Sequence, residues 1–282
     1  FDHLLENTEA PVLFGLDLAP KHGLTEYFRW ERRLLDKLEQ SLGHLEQLDS
    51  VDEIEELEQV PTRATEAPDL PQWITPAKPG SAAQELWILG ASLGGPAAVK
   101  MFLDHLPAEL PVGFVYAQHI DEHFSGVLTR VLGRHAHYHL KRAESGHRIR
   151  NGEVVMMPVE HEWALDANGA LTERDAPWPG PYGPSIDQVL LNMGDYYGAR
   201  CNAIFFSGMG NDGAIAAPLL KAYGSRIWVQ ESTSCGNSSM PDSVAATGCA
   251  GFCGTPAELA RELVRTIEAS CLLKGRQKRD SA

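Results

Sequence analysis

Trp87-Ile-Leu-Gly-Ala-Ser-Leu-Gly-Gly-Pro96 is the stretch from which the rest of the chain can be read. Leu86, Ile88 and Leu89 read as the end of a buried strand, and Pro96-Ala-Ala-Val-Lys-Met-Phe-Leu103 reads as the first turns of a helix. Between them lies a glycine-rich corner with one serine, Ser92. Such a corner stands a side chain at the carboxyl edge of a sheet, with backbone N–H groups around Gly94 and Gly95 directed toward it. That arrangement suits a nucleophile whose substrate develops an oxyanion. Gly90-Ala-Ser-Leu-Gly94 also fits G-x-S-x-G, but a plain tight turn or a phosphate loop shares so short a pattern.

Downstream, short apolar runs alternate with helical stretches, the signature of a doubly wound, mostly parallel α/β sheet with helices on both faces. Strands are expected at 112–117, at 137–141, at 154–157, at 202–206 and, closing the pattern, at 227–230. Helices are expected at 124–133, from Pro184-Ser-Ile-Asp187 to about 197, from 213 to about 222, and from 255 to about 273. Residues 162–173, with Asp166-Ala-Asn-Gly169 at their centre, read as a small hairpin beside the sheet. In this scheme Ser92, His119 and Asp212 each follow a strand at its carboxyl end, and those ends converge on one crevice. A nucleophile, a base and an orienting carboxylate are then available together. Asp212 beside a helix start is expected to stay ionised.

Two other readings compete for the same residues. Gly208-Met-Gly-Asn-Asp-Gly213 fits the dinucleotide pattern G-x-G-x-x-G, with Glu231 about where a ribose-binding acid would stand. Against it, Asp212 puts a negative charge where a pyrophosphate would bind. His135, His137 and His139 alternate as they would along one strand face, and His119 and His123 flank Asp121, but no acidic or cysteine partner has clear metal-ligand spacing. No cofactor and no metal are expected.

The 282 residues carry a net charge of -14, which argues against nucleic acid and anionic membrane surfaces as partners. Residues 1–80 account for -10 of that charge and residues 81–282 for -4. Five cysteines without paired C-x-x-C spacing suit free thiols in a reducing compartment. No apolar run is long enough to span a bilayer and no leader pattern precedes a cleavage site, so a cytoplasmic location is expected. The chain begins at Phe1, which leaves room for a longer parent. A strand is expected at 10–16. An amphipathic helix at 25–48 carries the stripe Leu35, Leu38, Leu42 and Leu45, and an acidic run follows at 49–58. Residues 61–84 hold five prolines and read as a linker that neither continues a helix nor builds a core. The organisation is therefore an N-terminal region at 1–60, a linker at 61–84, a catalytic domain at 85–273 and a disordered basic tail at 274–282.

Taken in order, Gly90-Ala-Ser-Leu-Gly-Gly-Pro96, Gln118-His119, Pro184-Ser-Ile-Asp187, Ser207-Gly-Met-Gly-Asn-Asp-Gly213, Gln230-Glu231 and Met240-Pro241 resemble the CheB-type chemotaxis methylesterase domain over residues 85–270. The resemblance implies a serine hydrolase that demethylates glutamate γ-methyl esters on chemoreceptor helices and in some members deamidates glutamines. It makes Ser92 the nucleophile, His119 the general base and acid, and Asp212 its orienting residue. Backbone N–H groups at Met209 and His119 are implied as the oxyanion hole, with Gly94 and Gly95 in support. The order Ser, His, Asp is unlike the Ser, Asp, His order of α/β-hydrolases. Where the family usually has threonine, arginine and glycine, this sequence has Leu93, Gly183 and Ser239, and Asp121-Glu122-His123 replaces a commonly proline-containing stretch. Such divergence resembles paralogues in type IV pilus chemosensory systems. A receptor-binding adaptor without strong catalysis and a nucleotide-binding enzyme remain as alternatives.

Family members normally carry a receiver domain of roughly 120 residues in front. Residues 1–83 are too few to supply a complete one and read as the remnant of a divergent receiver, or as a docking region for a partner such as a chemosensory histidine kinase. Receptor demethylation by this chain is thus expected to be the same with and without acetyl phosphate, and stimulation by the phosphodonor would contradict this reading of residues 1–83.

Overall fold

Residues 86–91 and 113–118 are buried at every position, the pattern of strands covered on both faces. They form β1 (Leu86–Ala91) and β2 (Gly113–Gln118), the middle of a parallel sheet. The computed structural model describes residues 68–78, 80–120, 122–133 and 137–280, all within the compact unit Ser50–Ala282. The expected strand at 10–16, the leucine-striped helix at 25–48 and the acidic run at 49–58 lie outside the described residues.

In chain order β1 is followed by α1 (Gly95–Asp104), β2, α2 (Glu122–Gly133), β3 (His139–Arg142), β4 (Glu153–Met156), β5 (Trp163–Leu165), β6 (Leu171–Glu173), α3 (Ile186–Tyr197), β7 (Cys201–Phe205), α4 (Ala216–Ala222), β8 (Ile227–Gln230), α5 (Ser239–Ala246), β9 (Phe252–Gly254) and α6 (Pro256–Asp280). Among the described residues seven strands make one sheet, in the order β3-β4-β2-β1-β7-β8-β9, and every neighbouring pair is parallel. β5 and β6 form the expected hairpin, antiparallel and separate from that sheet. β2 lies on one side of β1 and β7 on the other, so the carboxyl end of β1 is the point where strand order reverses and a crevice opens.

Alternation along β1 sends Trp87 and Leu89 to one face and Leu86 and Ile88 to the other. On the first face they meet Val99 and Phe102 of α1, Leu128 of α2 and Leu259 and Leu263 of α6. There Trp87 packs on Trp228 with ring centroids 4.4 Å apart. The second face is covered by Ile186, Val189 and Met193 of α3, Ala217 and Leu220 of α4 and Met240 and Val244 of α5. Of Ser185 and Asp187, the two residues of Pro184-Ser-Ile-Asp187 that could cap α3, it is Ser185 that does so, its hydroxyl accepting from the Gln188 N–H.

Four expectations need correction. The sheet does not close at 227–230, because Phe252-Cys253-Gly254 adds β9 outside β8; three residues are too few to show a period. Helix α5 had no counterpart in the reading, since its first turn holds Pro241, a residue tolerated only at a helix start. The final helix runs to Asp280, through most of the tail expected to be disordered; Lys, Arg and Gln are good helix formers, and cations suit the negative end of the helix dipole. Lastly, the later part of the proline-rich stretch belongs to the domain. Ile74 is 3% exposed in the core with Leu70 packed against it, Ala77 N donates to Glu109 O at 2.9 Å, and Ala82 bridges to Arg150. Proline bars helix but does not bar a single side chain from docking. Replacing Ile74 by Ala is expected to cost about 2–5 kcal/mol in urea denaturation, whereas a linker residue would cost less than about 0.5 kcal/mol.

Candidate active site

β2, β1 and β7 lie side by side, and His119, Ser92 and the loop holding Asp212 follow their carboxyl ends. Ala91 pairs with Gln118 in the ladder, so Ser92 and His119 stand one residue past paired positions. The backbone tightens this edge. Ser92 N donates to Ser207 O at 3.0 Å, and His119 N donates to Ala91 O at 3.0 Å. Gln118, wholly buried, donates through Nε2 to Ser92 O (2.8 Å) and His119 O (3.0 Å) while its Oε1 accepts from Tyr116 (2.6 Å). Gly94 turns the chain into α1 at φ 76°, and a Cβ there would stand 2.5 Å from Ser207 Oγ. Ser207 Oγ in turn donates to Leu93 O at 2.7 Å and Ser207 N to Gln230 Oε1 at 2.8 Å. The corner is held by buried amides and hydroxyls, none of them the candidate reacting groups.

Asp212 accepts three hydrogen bonds through its carboxylate. Its Oδ2 accepts from His119 Nε2 (2.9 Å) and Ile186 N (2.6 Å), and its Oδ1 accepts from Asp187 N (2.8 Å). Burial alone would push this carboxyl up. The His119 hydrogen bond and charge, with the two backbone N–H groups, outweigh that and hold it below the usual carboxylate range. The expectation of an ionised Asp212 at a helix start therefore fits, but the helix is α3 and not the one that follows Asp212 in sequence. Helix α4 receives a different acid: Asp187 Oδ1 accepts from Ala216 N at 2.7 Å. The two helices thus exchange carboxylates, each capped from the other's approach. Burial and the neighbouring Asp212 charge push the Asp187 carboxyl up.

An ionised carboxylate only accepts, so the proton shared with Asp212 sits on Nε2 and leaves Nδ1 of His119 as a bare lone pair. His119 Nδ1 and Ser92 Oγ are both buried, and neither has a hydrogen-bond partner. An unpaired buried polar atom costs about 1–3 kcal/mol, and native proteins seldom keep two together without a use. A lone pair on Nδ1 and a hydroxyl proton on Ser92 are complementary.

The expected oxyanion donors divide. The N–H groups of His119 and Gly95 are committed, the first to Ala91 O in the continuing ladder and the second to Ser92 O at 2.8 Å in the tight turn. Gly94 is the hinge of that turn. Among the described residues the Met209 N–H makes no hydrogen bond, which leaves it as the open donor of the four positions. Gly183, where arginine was expected from the resemblance, is explained by contact: a Cβ there would collide with the carbonyl oxygen of Val159. Sequence reading missed Tyr182, whose ring stacks on His119 with centroids 4.5 Å apart and planes 12° apart; nothing in the sequence marks it beyond its nearness to Pro184-Ser-Ile-Asp187.

The dinucleotide reading fails on two points. The N-terminus of α4 that would meet a pyrophosphate is already capped by Asp187, and the Asp212 carboxylate stands in the loop. Among the described residues no group of three or more His, Cys, Asp or Glu is gathered as a metal site requires. His147 and His161 are instead tied to Glu153 and Glu173, at 2.7 and 2.8 Å.

Residues 87–263 match the family model described as CheB methylesterase. A protein-glutamate methylesterase/protein-glutamine glutaminase of Saccharophagus degradans is 34% identical over 165 residues, 58% of this chain and 45% of that protein. Another so named, from Pseudomonas aeruginosa, is 30% identical over 177 residues, 63% of this chain and 53% of that one. The crystal structure of the Thermotoga maritima CheB methylesterase catalytic domain superposes with a TM-score of 0.62 at 26% identity, covering 64% of this chain and 98% of that domain. The chain spans about half the length of the curated relatives it matches.

Because the folded pKa of Asp212 is depressed, its contribution to stability is complete above the unfolded carboxyl value of about 3.9 and is lost as pH falls through the folded value. Asp212→Asn is expected to be less stable than the parent at neutral pH, with the gap narrowing below about pH 4. Urea midpoints across pH measure it, and a gap that widened in acid would contradict the assignment.

Proposed function

The chain belongs to the CheB methylesterase family, and on that premise we propose that it is a serine hydrolase acting on glutamate γ-methyl esters of chemoreceptor cytoplasmic helices. The observation that carries the reading is the pair of unpartnered buried atoms, Ser92 Oγ and His119 Nδ1, beside a histidine whose other nitrogen is tied to Asp212. A domain that only bound receptors would gain nothing from that cost, which favours catalysis over an adaptor.

The roles in the proposed reaction divide among these residues, with His119 serving as both base and acid. His119 Nδ1 takes the proton of Ser92 Oγ as that oxygen bonds to the ester carbonyl carbon, and the imidazolium that forms is balanced by Asp212. The carbonyl electrons move to an oxyanion, for which the Met209 N–H is the available donor. Collapse breaks the bond to methoxide, which leaves as methanol with the proton from His119. Water, deprotonated by His119, then attacks the acyl-serine and releases the glutamate carboxylate and the Ser92 hydroxyl. The same steps with an amide expel ammonia, so glutamine deamidation is within reach of these groups.

Catalysis is assigned to residues 85–273, and partner binding, including that of a signalling kinase, to the region before 61. A cytoplasmic setting follows from the substrate. Among the described residues no helix is long and apolar enough to cross a membrane.

Methanol release from membranes bearing methylated receptors tests the proposal. Ser92→Ala and His119→Ala are each expected to abolish it, since the two act as one proton-transfer unit. Asp212→Asn is expected to lower turnover by about 10²- to 10⁴-fold, by favouring the tautomer whose proton sits on Nδ1, the nitrogen assigned to Ser92. Normal turnover by Ser92→Ala with an unchanged circular dichroism spectrum would overturn the assignment.

A further inference from the structure

We propose that Tyr182 is a positioning residue for the reaction proposed above: its ring holds the His119 imidazole in the one orientation that joins Nε2 to Asp212 and leaves Nδ1 for Ser92. The inference rests on that reading of the site. A single hydrogen bond, Nε2 to Asp212 Oδ2 at 2.9 Å, fixes one atom of the ring and leaves tilt about that bond open. Tilt moves Nδ1, the atom that must meet the Ser92 hydroxyl. A flat neighbour removes this freedom, and Tyr182 is that neighbour, nearly parallel at 12° with ring centroids 4.5 Å apart.

The segment that carries Tyr182 is itself anchored on both sides. Before it, Trp178 is buried and donates from Nε1 to Pro158 O at 2.9 Å. After it, Gly183 lies so close to the Val159 carbonyl that no side chain fits, and Ser185 caps α3. Across the crevice a Cβ on Gly210 would come within 3.5 Å of the Tyr182 hydroxyl oxygen, so the ring sits between His119 and the loop that holds Asp212. Tyr182 is only half-buried and belongs to neither face of the core. Its ring covers His119, which is 7% exposed beneath it.

A second effect follows from the same contact. When His119 takes the serine proton it becomes a cation lying over the electron-rich face of an aromatic ring, which favours the charged form in the transition state. Phenylalanine offers nearly the same face; alanine offers none and opens that side of the imidazole to water.

The test uses the full chain with Tyr182→Phe and Tyr182→Ala, assayed for methanol release from methylated receptor membranes and for hydrolysis of p-nitrophenyl acetate. Tyr182→Phe is expected within about twofold of the parent. Tyr182→Ala is expected to lose about tenfold in kcat, equivalent to about 1.4 kcal/mol, with KM and melting temperature unchanged. Nitrogen NMR of His119 gives a readout apart from turnover: the parent and Tyr182→Phe should show a sharp signal from an unprotonated Nδ1, and Tyr182→Ala a shifted and broadened Nδ1 signal from a ring that tilts about its bond to Asp212. Equal losses in Tyr182→Phe and Tyr182→Ala, or full kcat and the parent nitrogen shifts in Tyr182→Ala, would overturn the proposal. A Ser92→Ala control that kept full turnover would sink the hydrolase reading instead, and the nitrogen shifts would still decide whether Tyr182 holds the ring.

Discussion

The carboxylate of Asp212 is the constraint on which the site depends. It takes two backbone N–H groups from the first turn of α3 and one ring N–H from His119, so a single buried charge joins β2, the loop after β7 and a helix on the sheet's second face. Such a charge is tolerable only because its donors are all in place. Removing any one of them would leave the rest misaligned as well as unpaired. The exchange with Asp187, which serves the start of α4, extends the same dependence to a second helix. α3 and α4 therefore do more than cover the sheet. The N–H groups at the start of α3, with the His119 hydrogen bond, favour the ionised Asp212 that holds the proton on His119 Nε2.

Around Ser92 the balance runs the other way. Its neighbours Gln118, Ser207 and Gln230 have their hydrogen bonds made, and the serine hydroxyl has none. A satisfied frame around an unsatisfied atom is a stiff arrangement, because the frame has no cheaper geometry to relax into. Relaxation of the serine toward a nearby carbonyl would blunt it as a nucleophile, and the closely packed corner at Gly94 and Gly208 leaves it little room to do so.

The sequence was most informative where local rules and tertiary structure agree. The apolar run before Ser92, the turn at Asp166-Ala-Asn-Gly169 and the cap at Ser185 each carry their own signal, and each stands where that signal put it. Parallel strands also have to place their carboxyl ends together, so the gathering of Ser92, His119 and Asp212 at one edge was legible from order alone. Contacts between distant segments were not. No local pattern reveals that Asp212 caps α3 while Asp187 caps α4, that Ile74 leaves a proline-rich stretch to enter the core, or that Tyr182 lies flat on His119. The two oxyanion donors found to be committed, at His119 and Gly95, illustrate the same limit, since a backbone N–H is available or not according to a partner elsewhere in the chain.

The three reactive positions stand a residue or a short loop beyond the ends of adjacent central strands, with their spacing set by the strand ladder of the sheet. Helix α3 borders them through its first turn, whereas the segment 178–184 beside His119 is loop. The candidate site residues and the loops around them thus belong to parts of the molecule with different tolerance for change. Loop positions other than Tyr182 and Gly183 can change while the ladder keeps Ser92 and His119 in register.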